Sequence, residues 1–120
     1  MRWLFLLSIL WLSWTLPPNA PVEWETDQTR DFGDIPYGEP AVAVFTFRNT
    51  GTDSLYIDNV RTSCGCTVPD WQDHLIPPDS TGAVRVEYDG EDSGYFRKWI
   101  KVYFNGYRKA ERLYIEGYVE

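Results

Sequence analysis

Apolar and polar side chains alternate with a two-residue period through most of the chain after residue 22. Ala43, Phe45 and Phe47 fall on one face of the segment 41–48, and Val84 and Val86 are spaced in the same way further along. Successive side chains of a β-strand point to opposite faces, so each segment is expected to form a strand with one buried face. The pattern therefore predicts β-structure rather than helices.

Turn signals separate these strands at short, regular intervals. Gly, Pro, Asn and Asp cluster at residues 36–38, 49–53, 76–82 and 90–94, and such spacing is typical of a sandwich rather than of alternating strands and helices. The Pro77-Pro78 pair excludes a central strand at that point. We predict an all-β fold, an antiparallel sandwich of about seven strands.

The last two strands permit a prediction of register. The expected inward residues are Phe96, Ile100, Val102 and Phe104 on one strand and Leu113, Ile115 and Val119 on the other. A tight turn at Asn105-Gly106 would set charged residues against this apolar face. A longer loop over residues 105–110 instead pairs Val102 with Leu113, Ile100 with Ile115, and Phe96 with Val119. Because a buried face fixes register, we expect the longer loop.

That register also predicts which side chains are neighbours on the outer face. It places Lys101 beside Tyr114, Arg97 beside Tyr118, and Tyr103 beside Arg112. Such a ladder either stabilises a solvated sheet, at roughly 0.2–1 kcal/mol for each pair, or forms an interface, since Tyr, Trp and Arg often anchor binding. The candidate interaction surface comprises Tyr95, Arg97, Trp99, Lys101, Tyr103, Tyr114 and Tyr118.

The first twenty residues differ from the rest of the chain. Arg2 precedes the apolar run 3–16, and a run of fourteen residues is short for a membrane-spanning helix. We predict a signal helix over residues 1–20, either cleaved after Ala20 or retained as an anchor, followed by one domain over residues 23–120. The domain would then be exported to the periplasm or cell envelope.

Charge narrows the classes of partner. The chain has 11 Lys plus Arg against 18 Asp plus Glu, a net charge of −7. Nucleic acid and anionic membrane surfaces require clustered cations. We therefore expect no nucleic acid as a partner and no contact with a membrane except through the N-terminal signal or anchor. A protein partner or self-association is compatible with this composition.

Cys64 and Cys66, separated only by Gly65, are the conspicuous candidates for chemistry. A disulfide between them would close a loop too short to brace two sheets, contributing about 1.6 kcal/mol by loop entropy. Three alternatives stand: residues packed at a strand end with or without a disulfide, a redox pair, or a soft-metal site for copper or zinc with His74 as a third ligand. No nucleotide loop or catalytic constellation is present, so neither enzymatic activity nor a cofactor is predicted.

The motifs also resemble a known family. They are Phe32-Gly-Asp-Ile-x-x-Gly38, Phe45-x-Phe-x-Asn-x-Gly51, Leu55-x-Ile-x-x-Val60, Ser63-Cys-Gly-Cys-Thr67, Ile76-Pro-Pro, Val86-x-Tyr88, Gly94-x-Phe96 and a closing Leu-x-Ile-x-Gly117. The chain resembles the bacterial exported family called domain of unknown function 1573. This resemblance implies an immunoglobulin-like sandwich, distantly similar to major-sperm-protein and cilia-associated modules, with no established activity. Pro78-Asp79-Ser80 departs from the Pro-Gly pair usual in that family.

Together these observations predict a non-enzymatic exported β-sandwich that acts as an interaction or structural module at the cell envelope. The alternative is a small redox or soft-metal protein that uses Cys64 and Cys66.

Overall fold

The computed structural model describes residues 17–120, which form two packed β-sheets. The eight strands are β1 (Val22–Trp24), β2 (Thr29–Ile35), β3 (Ala41–Asn49), β4 (Ile57–Thr62), β5 (Thr67–Trp71), β6 (Thr81–Tyr88), β7 (Gly94–Phe104) and β8 (Glu111–Val119). The first sheet has the order β1-β3-β6-β5 and the second β2-β8-β7-β4. The all-β prediction is confirmed, with eight strands instead of about seven.

The N-terminal helix predicted over residues 1–20 lies largely outside the described residues. Within residues 17–120 no helix is long and apolar enough to cross a membrane.

The core fills the space between the sheets, and the predicted inward residues form it. Every one of them is buried: Ala43, Phe45, Phe47, Val84, Val86, Phe96, Ile100, Val102, Phe104, Leu113, Ile115 and Val119. Tyr88, which continues the alternation of Val84 and Val86, is buried with them. Aromatic contacts join the two sheets, with Phe47 edge-on to Phe104 at 5.1 Å and Tyr88 stacked on Phe96 at 4.1 Å between ring centroids. Alternation along the chain was thus sufficient to identify the buried faces.

Two strands depart from the predicted architecture. The sandwich was expected to be antiparallel, but β2, at the edge of the second sheet, runs parallel to β8. These strands are distant in sequence, so no hairpin between them imposes an antiparallel pairing. No strand was predicted over residues 67–71, where the structure has β5 with Pro69 at its centre. As β5 is the last strand of its sheet, a proline that donates no hydrogen bond is tolerated there.

The predicted register of β7 and β8 is wrong by two residues. Ile100 lies opposite Leu113 and Trp99 opposite Tyr114. A two-residue shift leaves every side chain on the same face, so apolar alternation does not distinguish these registers. The loop does occupy residues 105–110, and within it Tyr107 N–H donates to the Phe104 carbonyl at 3.2 Å. That turn around Asn105-Gly106 forms without setting the strand register.

Asn49, fully buried at the end of β3, organises the neighbouring loops. Its amide nitrogen donates to the carbonyls of Asp53, at 2.8 Å, and Ile76, at 3.0 Å. Its side-chain oxygen accepts from Gly51 N–H at 2.9 Å. Because buried polar groups are stable only when paired, these bonds explain the Asn-x-Gly spacing of the motif.

Asp79 occupies the position where the chain departs from the Pro-Gly pattern. Its φ is 65°, in the left-handed region that favours glycine, and Asp is among the few other residues that tolerate it. The loop therefore keeps a glycine-like backbone without the glycine.

Candidate functional site

The outer face of the second sheet holds all seven residues of the candidate interaction surface. Five of them alternate along β7 and two lie four residues apart on β8, so each points away from the core: Tyr95, Arg97, Trp99, Lys101, Tyr103, Tyr114 and Tyr118. We call this set the aromatic–cationic face. The sequence identified its members, whereas the contacts among them differ from those predicted.

Arg97 is the best-anchored member of the face. It was predicted beside Tyr118, but it lies opposite Glu116 and forms an ion pair with it at 3.2 Å. The Tyr95 hydroxyl donates to the same carboxylate at 3.2 Å, and the Arg97 guanidinium stacks over Tyr114 at 4.6 Å from the ring centroid. Glu116 was missed by the sequence analysis because only the true register sets it against Arg97.

Lys101 and Tyr103 also have partners other than those predicted. Lys101 was expected beside Tyr114 and lies opposite Arg112, with its ammonium 4.6 Å from the centroid of the Trp99 ring. Tyr103 was expected beside Arg112 but contacts Arg61 of β4, whose guanidinium is 5.9 Å from its ring. Cation–π contacts therefore recur along the face, with β4 as an additional contributor.

Tyr95 and Tyr118 form the exposed end of the face. They lie opposite each other, and 68% and 50% of their respective surfaces are exposed. Two neighbouring tyrosines that remain accessible offer a large, rigid and amphipathic contact area.

Cys64 and Cys66 lie in the turn by which the chain crosses from β4 in the second sheet to β5 in the first. We call residues 63–66 the crossover turn. The structure joins the two cysteines by a disulfide, with a Cα–Cα distance of 5.1 Å. Both are half-buried, and the backbone turns at residues 65–66, so the pair does not lie along an extended strand.

Hydrogen bonds hold the crossover turn in place. Thr67 N–H donates to the Cys64 carbonyl at 3.2 Å, and the Thr62 hydroxyl donates to the same carbonyl at 3.0 Å. Cys66 N–H approaches the Cys64 sulfur at 3.1 Å. As a disulfide the sulfurs are not thiolates, so metal binding or nucleophilic attack would first require reduction.

His74 is not brought to the cysteines. It is exposed in the loop beyond β5, and a five-residue strand spans roughly 16 Å. Within residues 17–120 no group of three or more His, Cys, Asp or Glu side chains is arranged to hold a metal ion. The described chain therefore offers the cysteine pair no third ligand from His74.

The model of a family described as "Protein of unknown function (DUF1573)" matches residues 22–119. No curated protein matches the chain.

Among solved structures, a protein of unknown function from Porphyromonas gingivalis W83 has 18% identity and a TM-score of 0.69, with 91% of this chain and 51% of that chain covered. The chain thus spans about half the length of that protein. The ASH / PapD-like domain 7 of human CEP192 has 14% identity and a TM-score of 0.70, with 95% of both chains covered. The secreted serine protease VesC from Vibrio cholerae has 13% identity and a TM-score of 0.61, with 83% of this chain and 23% of that chain covered. These likenesses show a shared fold.

Proposed function

The chain belongs to the DUF1573 family of unknown function, and from this premise we propose that it is a non-enzymatic, exported interaction module of the bacterial cell envelope. The sandwich is the scaffold, and the aromatic–cationic face is the surface that meets a protein partner or a second copy of the chain.

The observation on which this proposal rests is the state of Arg97, Tyr95 and Tyr118. Arg97 is fixed by an ion pair and a stacked ring, while Tyr95 and Tyr118 remain largely exposed beside it. Side chains already held in one conformation lose little entropy on binding. Arg and Tyr are also the residue types enriched at energetically important positions of interfaces.

The chemistry of the described residues supports a module rather than an enzyme. The one histidine, His74, is solvated and distant from the cysteines, and Cys64 and Cys66 are bonded to each other. An activated nucleophile needs a base within hydrogen-bond reach and an orienting partner. Residues 17–120 do not place these groups together.

Site-specific photocrosslinking of the full chain in native bacterial envelopes tests the proposal. A photoreactive residue replaces Tyr118 in one variant and Val44 in the other. Val44 is the matched control because it is 51% exposed on the outer face of the first sheet. We expect a discrete adduct from position 118, a much weaker one from position 44, and loss of the adduct when Arg97→Glu is added.

Two results would contradict the interaction module. One is the absence of any adduct from position 118, and the other is equal adducts from both positions. If Arg97→Glu and Lys101→Glu lower the free energy of unfolding but leave the adduct intact, the aromatic–cationic face stabilises the sheet and does not bind a partner.

A second candidate function, thiol–disulfide exchange, is favoured by one observation: Cys64 and Cys66 are joined by a disulfide in a turn that leaves both residues partly exposed. Attack on one sulfur would form a mixed disulfide and release the other cysteine as a thiolate. Incubation with reduced glutathione followed by intact mass measurement tests this. A pair that stays oxidised, with no mixed disulfide formed, argues against the exchange function.

A further inference from the structure

The segment immediately after the apolar N-terminal run is built into the folded domain. The Pro17 carbonyl accepts from Arg108 N–H at 3.1 Å, and the Pro18 carbonyl accepts from Lys109 N–H at 2.8 Å. Ala20 is buried, with 7% of its surface exposed. Residues 17–20 therefore pack on the loop between β7 and β8, next to the core.

These contacts bear on the fate of the leader. Cleavage after Ala20 would remove the residues that satisfy Arg108 and Lys109 and would uncover the site that Ala20 fills. The bond itself precedes Pro21, whose fixed φ and missing N–H suit a protease poorly. The apolar run ends at Leu16, directly before Pro17. A retained run therefore leaves the domain at the β7–β8 loop without a linker.

Positive charge is concentrated at this same place. Arg61, Lys101 and Arg112 form a row across β4, β7 and β8, since Lys101 lies opposite each of the other two. Arg108 and Lys109 follow in the adjoining loop. We call these five residues the basic patch. A surface depression of about 460 Å³ is lined by four of them together with Tyr103 and Ala110.

The basic patch is not neutralised by the described chain. Within residues 17–120 none of its five cations has a carboxylate within 4.0 Å. Asp58 adjoins Arg61 in a shallow groove, and the Glu111 carboxylate accepts from the Trp24 indole, which leaves a local excess of positive charge. Like charges directly opposite one another on a sheet repel. An external anion would relieve that repulsion.

We propose that the leader is retained and that the basic patch rests on anionic phospholipid headgroups of the membrane that holds residues 3–16. The location follows from the absence of a linker after Leu16, and the chemistry of the partner follows from the unneutralised charge. The expectation drawn from the net charge of −7 excluded anionic membranes. That total conceals a local cluster, because β4, β7 and β8 gather cations that are far apart in sequence. Lys101 and Tyr103 belong both to the aromatic–cationic face and to the depression at the basic patch. Tyr95 and Tyr118, on whose exposure the proposed protein interface rests, lie outside the patch at the other end of that face.

The three lysines of the chain provide a direct test, since Lys101 and Lys109 belong to the patch and Lys98 does not. The full chain is reconstituted in vesicles of phosphatidylcholine alone or with about 30% phosphatidylglycerol, and the acetylation rate of each lysine is followed by mass spectrometry. A cation near an anionic leaflet gains about fivefold in partitioning. We expect acetylation of Lys101 and Lys109 to slow at least about fivefold in anionic vesicles, and Lys98 to change little.

Salt and charge reversal sharpen the result. About 0.5 M NaCl should abolish the difference between the vesicles, because it shortens the screening length below about 5 Å. Arg108→Glu with Arg112→Glu should abolish it at low salt, whereas Arg85→Glu on the first sheet should not. Circular dichroism checks that each variant folds.

Three outcomes would overturn the proposal. One is equal acetylation rates in both vesicles for Lys101 and Lys109. Another is the same protection from soluble glycerol phosphate without vesicles, which would indicate a site for a small anion. The third is an intact mass, measured on protein extracted from bacterial membranes, that corresponds to a chain starting at Pro21. Failure of the crosslinking experiment at position 118 would leave these outcomes unaffected.

Discussion

The parallel pairing of β2 with β8, which we call the seam, and the crossover turn each contain a glycine within a sequence motif. Gly117 at the seam and Gly65 in the turn have different physical roles. At the seam, a Cβ on Gly117 would lie 2.8 Å from the Gly33 carbonyl oxygen and 3.0 Å from the Phe96 ring. Gly33 itself has a φ of 65°, beside the register shift between Asp31 and Asp34. In the crossover turn, a Cβ on Gly65 would meet nothing within 4 Å, and its φ is outside the left-handed region.

A motif that is conspicuous in the sequence therefore need not contain the glycine that matters most for the stability of the fold. The Cys64-Gly65-Cys66 motif dominates the sequence, yet Gly65 is required neither for space nor for backbone conformation. Gly117 only closes the weaker motif Leu-x-Ile-x-Gly117, yet it allows β2 to approach β8 closely. The turn is therefore the region where substitution is expected to affect local chemistry more than the fold.

The largest expected effect is that of Gly117→Ala. The added methyl group meets backbone rather than a flexible side chain, so β2 or the Phe96 ring must move. Such overpacking costs about 1–3 kcal/mol, and we expect the upper end of that range because a backbone carbonyl is the closest atom. Urea unfolding monitored by tryptophan fluorescence measures the change in free energy.

Gly65→Ala is the matched control for that substitution. It adds the same methyl group in open space, and we expect a change within about 0.5 kcal/mol. Equal losses at positions 65 and 117 would contradict the contrast between the seam and the turn.

An intermediate effect is expected when both cysteines are replaced. Cys64→Ser with Cys66→Ser removes a ring that contributes about 1.6 kcal/mol by loop entropy. Each new hydroxyl keeps a hydrogen-bonding atom near the turn, so we expect a loss of about 1–2 kcal/mol in the free energy of unfolding, again measured in urea.

Reduction of the unmodified chain provides a control for the serine pair. The reductant should produce a similar loss, because it opens the same ring without changing side-chain volume. A loss above about 3 kcal/mol in either case would show that the crossover turn contributes as much to the free energy of unfolding as the seam does.

The predictability of the fold follows the same division. Alternation identified the buried side chains of β3, β6, β7 and β8, because burial of one face depends on local pattern. The approach of β2 to β8 was not predicted, since it depends on Gly33 and Gly117, which are distant in sequence. Register also depends on distant contacts. The bonds of Arg108 and Lys109 to Pro17 and Pro18 lie outside any strand pattern.

The candidate site was predictable in composition but not in its contacts. The two-residue period places Arg97, Trp99 and Lys101 outward in any register of the correct parity. Whether Arg97 lies opposite Tyr118 or Glu116 depends on a register shift of two residues. The apolar alternation does not distinguish these registers, because both leave every side chain on the same face. The basic patch is a further consequence of register, because Arg61 reaches Lys101 only through the pairing of β4 with β7.

The smallest expected effect concerns Tyr88, which connects the two regions. Tyr88 lies opposite Thr67 at the end of the crossover turn, and its ring stacks on Phe96 at the seam. Burial raises the pKa of Tyr88 above its ordinary value of 10.0, and the negative charges of Asp89 and Asp92 add to this. Within residues 17–120 its hydroxyl has no hydrogen-bond partner.

The raised pKa determines the direction of the pH dependence. Above pH 10 the unfolded chain loses the Tyr88 proton while the folded chain retains it, so this contribution to stability is complete below pH 10 and declines as pH rises. At pH 10.5 the loss is at most about 0.8 kcal/mol.

Tyr88→Phe abolishes this pH-dependent contribution. At pH 7 it also removes an unpaired hydroxyl, so the variant should be as stable as the unmodified chain or more stable. Urea unfolding of both proteins at pH 7, 9 and 10.5 measures the difference, and because the other tyrosines are common to both, they provide the internal control. A variant less stable than the unmodified chain by a constant amount at all three pH values would show that the hydroxyl is satisfied, and that Tyr88 supports the contact between seam and turn through a hydrogen bond.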